Sequence, residues 1–305
     1  MKCNLCPRAC NVDRNVNTGF CGMTNDIYAA RAALHMWEEP CISGEHGSGA
    51  VFFSGCTLRC IFCQNAEIAA AHVGRKITID RLSDIFLELQ DKCANNINLV
   101  TATHFVPQVA EALVKAKNKG LVIPVVYNSS AYENVSTLKM LDGLVDVYLP
   151  DMKYIDSRLS AEYSKAPDYA DVAKAAIQEM VRQTGKPEFF TDDDELVKSE
   201  SVEAGIMKKG VIVRHLVLPG TIKDSKAVIK YLLDTYADEI YISIMSQYTP
   251  FERLKKHPLL SRKVTRKEYD SVVDYAIECG INNGFIQEGD VAEESFIPEF
   301  DYEGI

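Results

Sequence analysis

The sequence predicts an α/β protein: a partial (β/α)6 barrel preceded by a short cysteine-rich N-terminal extension. Three observations lead there. From about residue 50, short apolar runs alternate with amphipathic stretches, the pattern of βα units around a parallel sheet. Polar residues collect where the apolar runs end, and that is where parallel sheets carry their sites. Seven of the ten cysteines fall in two clusters, Cys3, Cys6, Cys10 and Cys21 in C-x2-C-x3-C-x10-C and Cys56, Cys60 and Cys63 in C-x3-C-x2-C.

The elements follow in order. "AVFFSG" (50–55) reads as a buried strand that runs straight into the second cysteine cluster. Leu82, Ile85, Phe86, Leu89 and Cys93 recur at helical spacing, which makes Cys93 a core residue of the helix that follows. "INLVTATHF" is the second strand, and Pro107 opens a helix with Val106, Ala110, Leu113 and Val114 on one face, ending at Gly120. "LVIPVVYNSS" is the third strand, followed by a short helix over 135–141. "LVDVYLPDMKY" is the fourth, succeeded by one long helical region over 161–183. The acidic stretch 191–205 breaks the rhythm and reads as a solvated hairpin or loop. "VIVRHLVLPG" is the fifth strand, with a helix over 225–236. "IYISIMSQY" is the sixth, and "TRKEYDSVVDYAIECG" a closing helix with Cys279 packed near its end. Six units are too few to close an eight-stranded barrel and fit an open, curved version of it. The expected organisation is a cysteine-rich segment over 1–48, the partial barrel over 49–290 and a tail over 291–305.

With 305 residues, 47% hydrophobic and 25% charged, the chain can bury a full core without disulfides. A formal charge of −10 opposes a polyanionic or anionic-membrane partner, so neither nucleic acid nor membrane is expected. The N-terminus has no apolar leader and no internal apolar run reaches spanning length, which points to the cytoplasm. Thiols stay reduced there, so clustered cysteines are metal ligands or catalytic groups. Cys41 stands alone and is expected to be buried, and the glycines of "SGEHGSG" (43–49) serve a tight turn and not a phosphate cradle.

Thiolates suit zinc and iron-sulfur centres, and a purely structural site takes four protein donors. Cys56, Cys60 and Cys63 supply three, leaving one position open for a substrate. The first cluster supplies four thiols, enough to fill a second site with zinc or an iron-sulfur centre. The polar rim at the strand ends comprises Thr101, Thr103 and His104, then Asn128, Ser129 and Ser130, Asp151 and Lys153, Arg214 and His215, and Ser246, Gln247 and Tyr248.

A C-x3-C-x2-C motif after the first strand of such a chain resembles that of the radical S-adenosylmethionine superfamily. "EEPCISGEHGSGAVFFSGCTLRCIFCQN", "LVTATHFVPQ", "LPDMKY", "VRHLVLPG" and "ISIMSQY" resemble its branch of pyruvate formate-lyase activating enzyme-like proteins, over nearly the whole chain. The resemblance implies that Cys56, Cys60 and Cys63 hold a [4Fe-4S] cluster whose fourth iron binds S-adenosylmethionine, and that one electron cleaves it to a 5'-deoxyadenosyl radical that abstracts a hydrogen atom. It places Phe62 beside the adenine. It likens Asp151 and Lys153 to the Asp-x-Lys pair of glycyl-radical activases and Arg214 to their fifth-strand motif. Where that family carries Gly-Gly-Glu at the second strand, this chain has "TATHF", so Thr101, Thr103 or His104 has to meet the amino group. Asn128, Ser129 and Gln247 complete the expected cofactor-binding set. The implied partners are a flavodoxin or ferredoxin as electron donor and a glycine of a protein as substrate. The alternatives are the same chemistry on a small molecule or peptide, and a non-catalytic zinc or iron-sulfur module.

Overall fold

The protein is described by a computed structural model over residues 2–191, 205–287 and 298–305; the acidic stretch, apart from its two end residues, and part of the tail lie outside the described residues. The elements are β1 (Ile27–His35), α1 (Pro40–Ser43), β2 (Ser48–Phe53), α2 (Ala66–Ala69), β3 (Arg75–Ile77), α3 (Ile79–Asp91), β4 (Ile97–Val100), α4 (Val106–Asn118), β5 (Val125–Ser129), α5 (Val135–Leu138), β6 (Val147–Pro150), α6 (Ser157–Ser164), α7 (Tyr169–Thr184), β7 (Glu188–Phe189), β8 (Met207–Leu216), α8 (Ile222–Tyr236), β9 (Tyr241–Met245), α9 (Arg266–Glu278) and β10 (Gly284–Ile286).

The strand order is β10-β9-β8-β6-β5-β4-β2-β1-β3, with β7 on β8. Every pair from β2 to β10 on that path is parallel. The ends β3 and β10 do not meet, so the barrel is open. The residues of β2, β4, β5 and β6 are all buried, as expected of strands covered on both faces. Alternation sorts their side chains: Val211 and Val213 of β8 join the layer under the helices, whereas Ile212 meets Val126, Val147 and Leu149 inside the barrel. No helix among the described residues is long and apolar enough to cross a membrane.

Part of the 1–48 segment joins the sheet. β1 pairs antiparallel with β2 along Ala29–His35, and α1 inserts Cys41 and Ile42 into the inner cluster with Val126, Val147 and Ile212. Cys41 is wholly buried. Residues 44–46 form the turn expected of "SGEHGSG". At Gly44, φ 48°, an added Cβ would stand 2.6 Å from Ile206 and 2.7 Å from Asn95. The last residues close over β1: Ala32 N–H donates to Glu303 O at 2.8 Å, Tyr302 N–H to Ala30 O at 3.1 Å, and Phe300 sets its edge on Phe52.

Several local expectations are corrected. α3 stops at Asp91, so Cys93 lies past its end at φ 62° and is exposed. Cys279 caps α9 and is also exposed. α4 buries Val106, Val109, Ala112, Leu113 and Ala116, leaving Val114 outside. The region 161–183 is two helices: Lys165 turns left-handed at φ 53°, and Pro167 cannot continue a helix through its own missing N–H and its clash with the preceding residue. A seventh parallel strand, β10, follows the six expected ones.

Candidate active site

The loop after β2 carries the three cysteines into a cavity of about 260 Å3 at the C-terminal ends of the strands. Gly55, φ 87°, starts the loop, because a Cβ there would fall 2.4 Å from Met23 and 2.7 Å from Cys21 O. Arg253 grips its far end, donating to Ile61 O at 3.0 Å and to Cys63 O at 2.7 Å. Ser164 Oγ donates to Cys60 Sγ at 3.0 Å. Burial pushes the Cys63 thiol up to about 12, with Cys56 and Cys60 adding to the shift. Burial also raises Cys60, partly countered by Lys153.

The floor is an array of buried charges. Arg214 Nε donates to Asp151 Oδ1 at 3.0 Å, Nη1 to Glu38 Oε2 at 3.1 Å and Nη2 to Asn128 Oδ1 at 2.7 Å. Lys153 Nζ donates to Asp151 Oδ2 at 2.7 Å. Glu38 Oε1 accepts from Asn98 and Asn128, both at 3.1 Å. Burial alone would raise the Asp151 carboxyl, but Lys153 and Arg214 hold it below the usual carboxylate range. Burial likewise would lower Lys153, yet Asp151 and then Cys60 keep it above its ordinary value. Both cations are therefore charged where they line the cavity. Tyr169 OH fixes the strand end, donating to Asp151 O at 2.6 Å and accepting from Lys153 N–H at 3.0 Å. Beside this array Glu39 is buried, and burial raises its carboxyl to about 7 against the pull of Arg214.

Of the residues expected at the site, Cys56, Cys60, Cys63, Phe62, Thr101, Asn128, Asp151, Lys153, Arg214 and Gln247 line this cavity. Phe62 is packed edge-on among Tyr154, Tyr163 and Tyr248. Three of the expected cofactor-binding residues are not brought to it, nor are His215, Ser246 and Tyr248 of the rim among its lining residues. Thr103 and His104 fall on a single 3-10 turn beneath the rim: Thr103 Oγ1 donates to buried Glu133 at 2.6 Å, and His104 Nε2 meets Ser54 O at 2.7 Å. Burial pushes His104 down to about 4. Ser129 alternates away from Asn128 along β5 and accepts from Ala131 N–H at 3.1 Å. By the same alternation, His215 points out of the barrel, its Nδ1 2.7 Å from Met152 O. The sequence reading missed Glu38, together with His35, Trp37 and Phe52, which form the opposite wall. They precede or sit on the first barrel strand, and only the doubled acid of "EEPC" hinted at them.

The first cysteine cluster lies against the outside of this loop. Two tight turns present its thiols, closed by Ala9 N–H to Cys6 O and Gly22 N–H to Gly19 O, both at 3.0 Å. A methyl group at Gly19 would stand 3.3 Å from Cys10 Sγ and 3.4 Å from Cys21 Sγ, so the two sulfurs crowd one spot. Cys6 and Cys21 are buried. Burial pushes Cys6 up to about 12, with Cys21 and Cys3 close enough to contribute. For Cys10 burial is overcome by hydrogen bonds from the backbone at Phe20 and Val12 and from Cys3, and its thiol lies below the ordinary value. Among the described residues no three His, Cys, Asp or Glu side chains stand as a finished metal shell. The thiols are neighbours in two groups, one of three facing a cavity and one of four facing inward on itself, and both donor sets are of the soft kind that suits iron-sulfur centres or zinc.

Residues 50–183 match the family model of the Radical SAM superfamily. The chain is 27% identical over 281 residues to an uncharacterized protein of Methanocaldococcus jannaschii, covering 90% of this chain and 74% of that one. Among solved structures, that of Streptococcus suis SuiB bound to the precursor peptide SuiA superposes with a TM-score of 0.48 and 13% identity, over 77% of this chain; the match spans only 46% of SuiB. A domain of pyruvate-formate lyase-activating enzyme from Bacteroides vulgatus superposes with a TM-score of 0.39 and 10% identity, over 60% of this chain and 91% of that one.

Proposed function

Because residues 50–183 carry a Radical SAM superfamily domain, we propose that this protein is a radical S-adenosylmethionine enzyme of the activase kind, taking a hydrogen atom from a glycine of a partner protein. The observation that carries the reading is the convergence of Cys56, Cys60 and Cys63 with the Lys153-Asp151-Arg214 array on one cavity. Three thiols and no fourth fit a [4Fe-4S] cluster with one iron left for the cofactor. Bound there, the cluster and S-adenosylmethionine supply one-electron cleavage of the sulfonium to methionine and a 5'-deoxyadenosyl radical, with the electron coming from a reduced flavodoxin or ferredoxin.

The chain's own residues hold and orient. Lys153 and Arg214 offer cations to a carboxylate, each already balanced by Asp151 or Glu38, so the site is neutral overall before the cofactor arrives. Thr101, alone of the three second-strand candidates, reaches the cavity and can accept from an amino group. Phe62, held rigid by three tyrosines, gives a flat apolar wall for an adenine. Cys3, Cys6, Cys10 and Cys21 hold a second metal, zinc or iron-sulfur, in a closed four-thiol site. The working compartment is the reducing cytoplasm.

The test is anaerobic reconstitution with iron and sulfide, reduction, addition of S-adenosylmethionine and quantitation of 5'-deoxyadenosine against Cys60→Ala. Product that vanishes in the variant supports the radical reading, and deuterium carried from a labelled substrate into 5'-deoxyadenosine separates a protein glycine from a small molecule or peptide. A fully loaded protein that makes none with any candidate present returns the chain to a non-catalytic metal module.

A further inference from the structure

The loop of Cys56, Cys60 and Cys63 is gripped from outside the barrel by the four-thiol segment. Arg8 lies between Cys6 and Cys10. Its Nε donates to Thr57 O at 2.7 Å, its Nη2 to Leu58 O at 3.2 Å and Ser164 O at 3.1 Å, and its Nη1 to Lys165 O. Two of those carbonyls lie between the first and second cysteines of the triad, and a third belongs to the serine whose hydroxyl meets Cys60 Sγ. The guanidinium is packed between Phe20, at 4.2 Å, and Tyr132, at 5.0 Å. A planar fork with five N–H groups can serve four carbonyls at once; an ammonium with three cannot. A second link is backbone to backbone: Cys56 N–H donates to Cys21 O at 3.3 Å, joining the first ligand of one group to the last of the other. A third comes back from the triad loop, where Arg59 Nη2 donates to Phe20 O at 2.6 Å.

We propose that Arg8 is a positioning residue that couples the four-thiol site to the triad loop, so that a metal held by Cys3, Cys6, Cys10 and Cys21 sets the spacing of Cys56 and Cys60 and thereby the grip on S-adenosylmethionine. The proposal rests on the two-metal reading above. The turn that carries Arg8 lies in no helix or named strand: its base is closed by Cys3 N–H to Val12 O at 2.8 Å and Asn11 N–H to Cys3 O at 3.0 Å, while the turn itself, between Cys6 and Cys10, ends on Ala9 at φ 39° and Asn11 at φ 55°. A metal across those thiols would remove the freedom that otherwise opposes four simultaneous hydrogen bonds.

The experiment uses the full chain, reconstituted without oxygen, as wild type, Arg8→Gln, Arg8→Lys, Cys10→Ser and the double variant Arg8→Gln/Cys10→Ser. Hydrogen exchange of the amides of residues 56–63 and the Kd for S-adenosylmethionine are read beside metal content and circular dichroism. Arg8→Gln is expected to speed exchange in the loop and weaken S-adenosylmethionine about tenfold, the scale for loss of an outer-shell partner, with secondary structure unchanged. Arg8→Lys, which keeps the charge between the rings but not the fork, is expected to recover only part of this, and it keeps the test decisive if the glutamine variant fails to fold. Cys10→Ser is expected to reproduce the effect, and the double variant to be no worse than the worse single one. Unchanged loop exchange and Kd in a folded Arg8→Gln overturn the proposal, as do additive effects in the double variant. The premise is checked separately: a Cys56→Ala/Cys60→Ala/Cys63→Ala protein that binds no metal removes the four-thiol site, and with it the coupling, whatever Arg8→Gln does.

Discussion

The two sulfur sites differ in what surrounds them more than in what composes them. The triad of Cys56, Cys60 and Cys63 faces a cavity whose other walls are a charge-paired array and aromatic residues. The group of Cys3, Cys6, Cys10 and Cys21 faces itself, with two of its members buried. One has three thiols beside a cavity; the other has four, two buried and two partly exposed. A ligand count read from sequence thus gains its meaning from the space left next to it, since an open position is useful only where something can enter. The arginines divide likewise: Arg214 is inside, aimed at the cavity and matched by carboxylates, while Arg8 and Arg59 are outside and spend their donors on carbonyls of the two loops.

The largest test of this contrast is to remove one thiol from each group. On the two-metal reading proposed above, Cys63→Ala is expected to drop 5'-deoxyadenosine formation to background, more than the roughly 100-fold limit for loss of an outer-shell partner, while metal bound by the four-thiol group is retained. Metal analysis of the same sample is the check. Loss of both metals together would mean that the two groups assemble as one site and would break the comparison.

Next in size is the charge array. Asp151→Asn leaves Arg214 with Glu38 and takes from Lys153 the carboxylate it pairs with, and removing one member of a buried ion network costs about 3–5 kcal/mol. Denaturant midpoints are expected to fall accordingly. The same change with stability intact would show that the two cations are better solvated than their burial indicates. Glu38→Gln removes the charge but keeps a group able to accept from Asn98 and Asn128, so a smaller loss of about 1.5–3 kcal/mol is expected from the bond to Arg214.

Much of this was legible in the sequence for a physical reason. Strand periodicity and the stop of each apolar run located the rim, and metal-ligand spacing is set by the loop itself, so it survives in one dimension. What was lost depends on direction or on distant pairing. Thr103 and His104 follow β4 in sequence, but a single 3-10 turn carries them below the rim, and no composition signal distinguishes that turn from a straight strand end. Ser129 and Asn128 are neighbours on β5 and face opposite ways. Cys93 fits helical spacing by number, yet the helix ends at Asp91, two residues short of it. Glu38 reaches Arg214 across 176 positions of chain. It lies in the connection between β1 and α1, and β1 joins the sheet antiparallel, outside the βα rhythm that organised the rest.

The last test concerns how the cavity side disposes of a further buried carboxyl, Glu39. Arg214 is already engaged by Asp151, Glu38 and Asn128, so burial outweighs its pull on Glu39 and that of Ser243, and raises the carboxyl from 4.5 to about 7. A carboxyl with a raised folded-state pKa binds its proton more tightly in the folded chain. Its contribution to stability is therefore full below about 4.5 and is lost as pH rises through about 7. At 1.36 kcal/mol per unit the loss is on the order of 3 kcal/mol. Glu133, buried against Thr103 and Tyr127 and raised by burial to about 7, adds a slope of its own. Urea unfolding of wild type between pH 5 and 8 should thus show declining stability, and Glu39→Gln, which does not titrate, should reduce that slope without abolishing it. The variant gains on wild type as pH rises. Parallel curves for the two proteins would mean that Glu39 is ionised in the folded state and shares Arg214 with Asp151 and Glu38, making the floor of the cavity net negative instead of balanced.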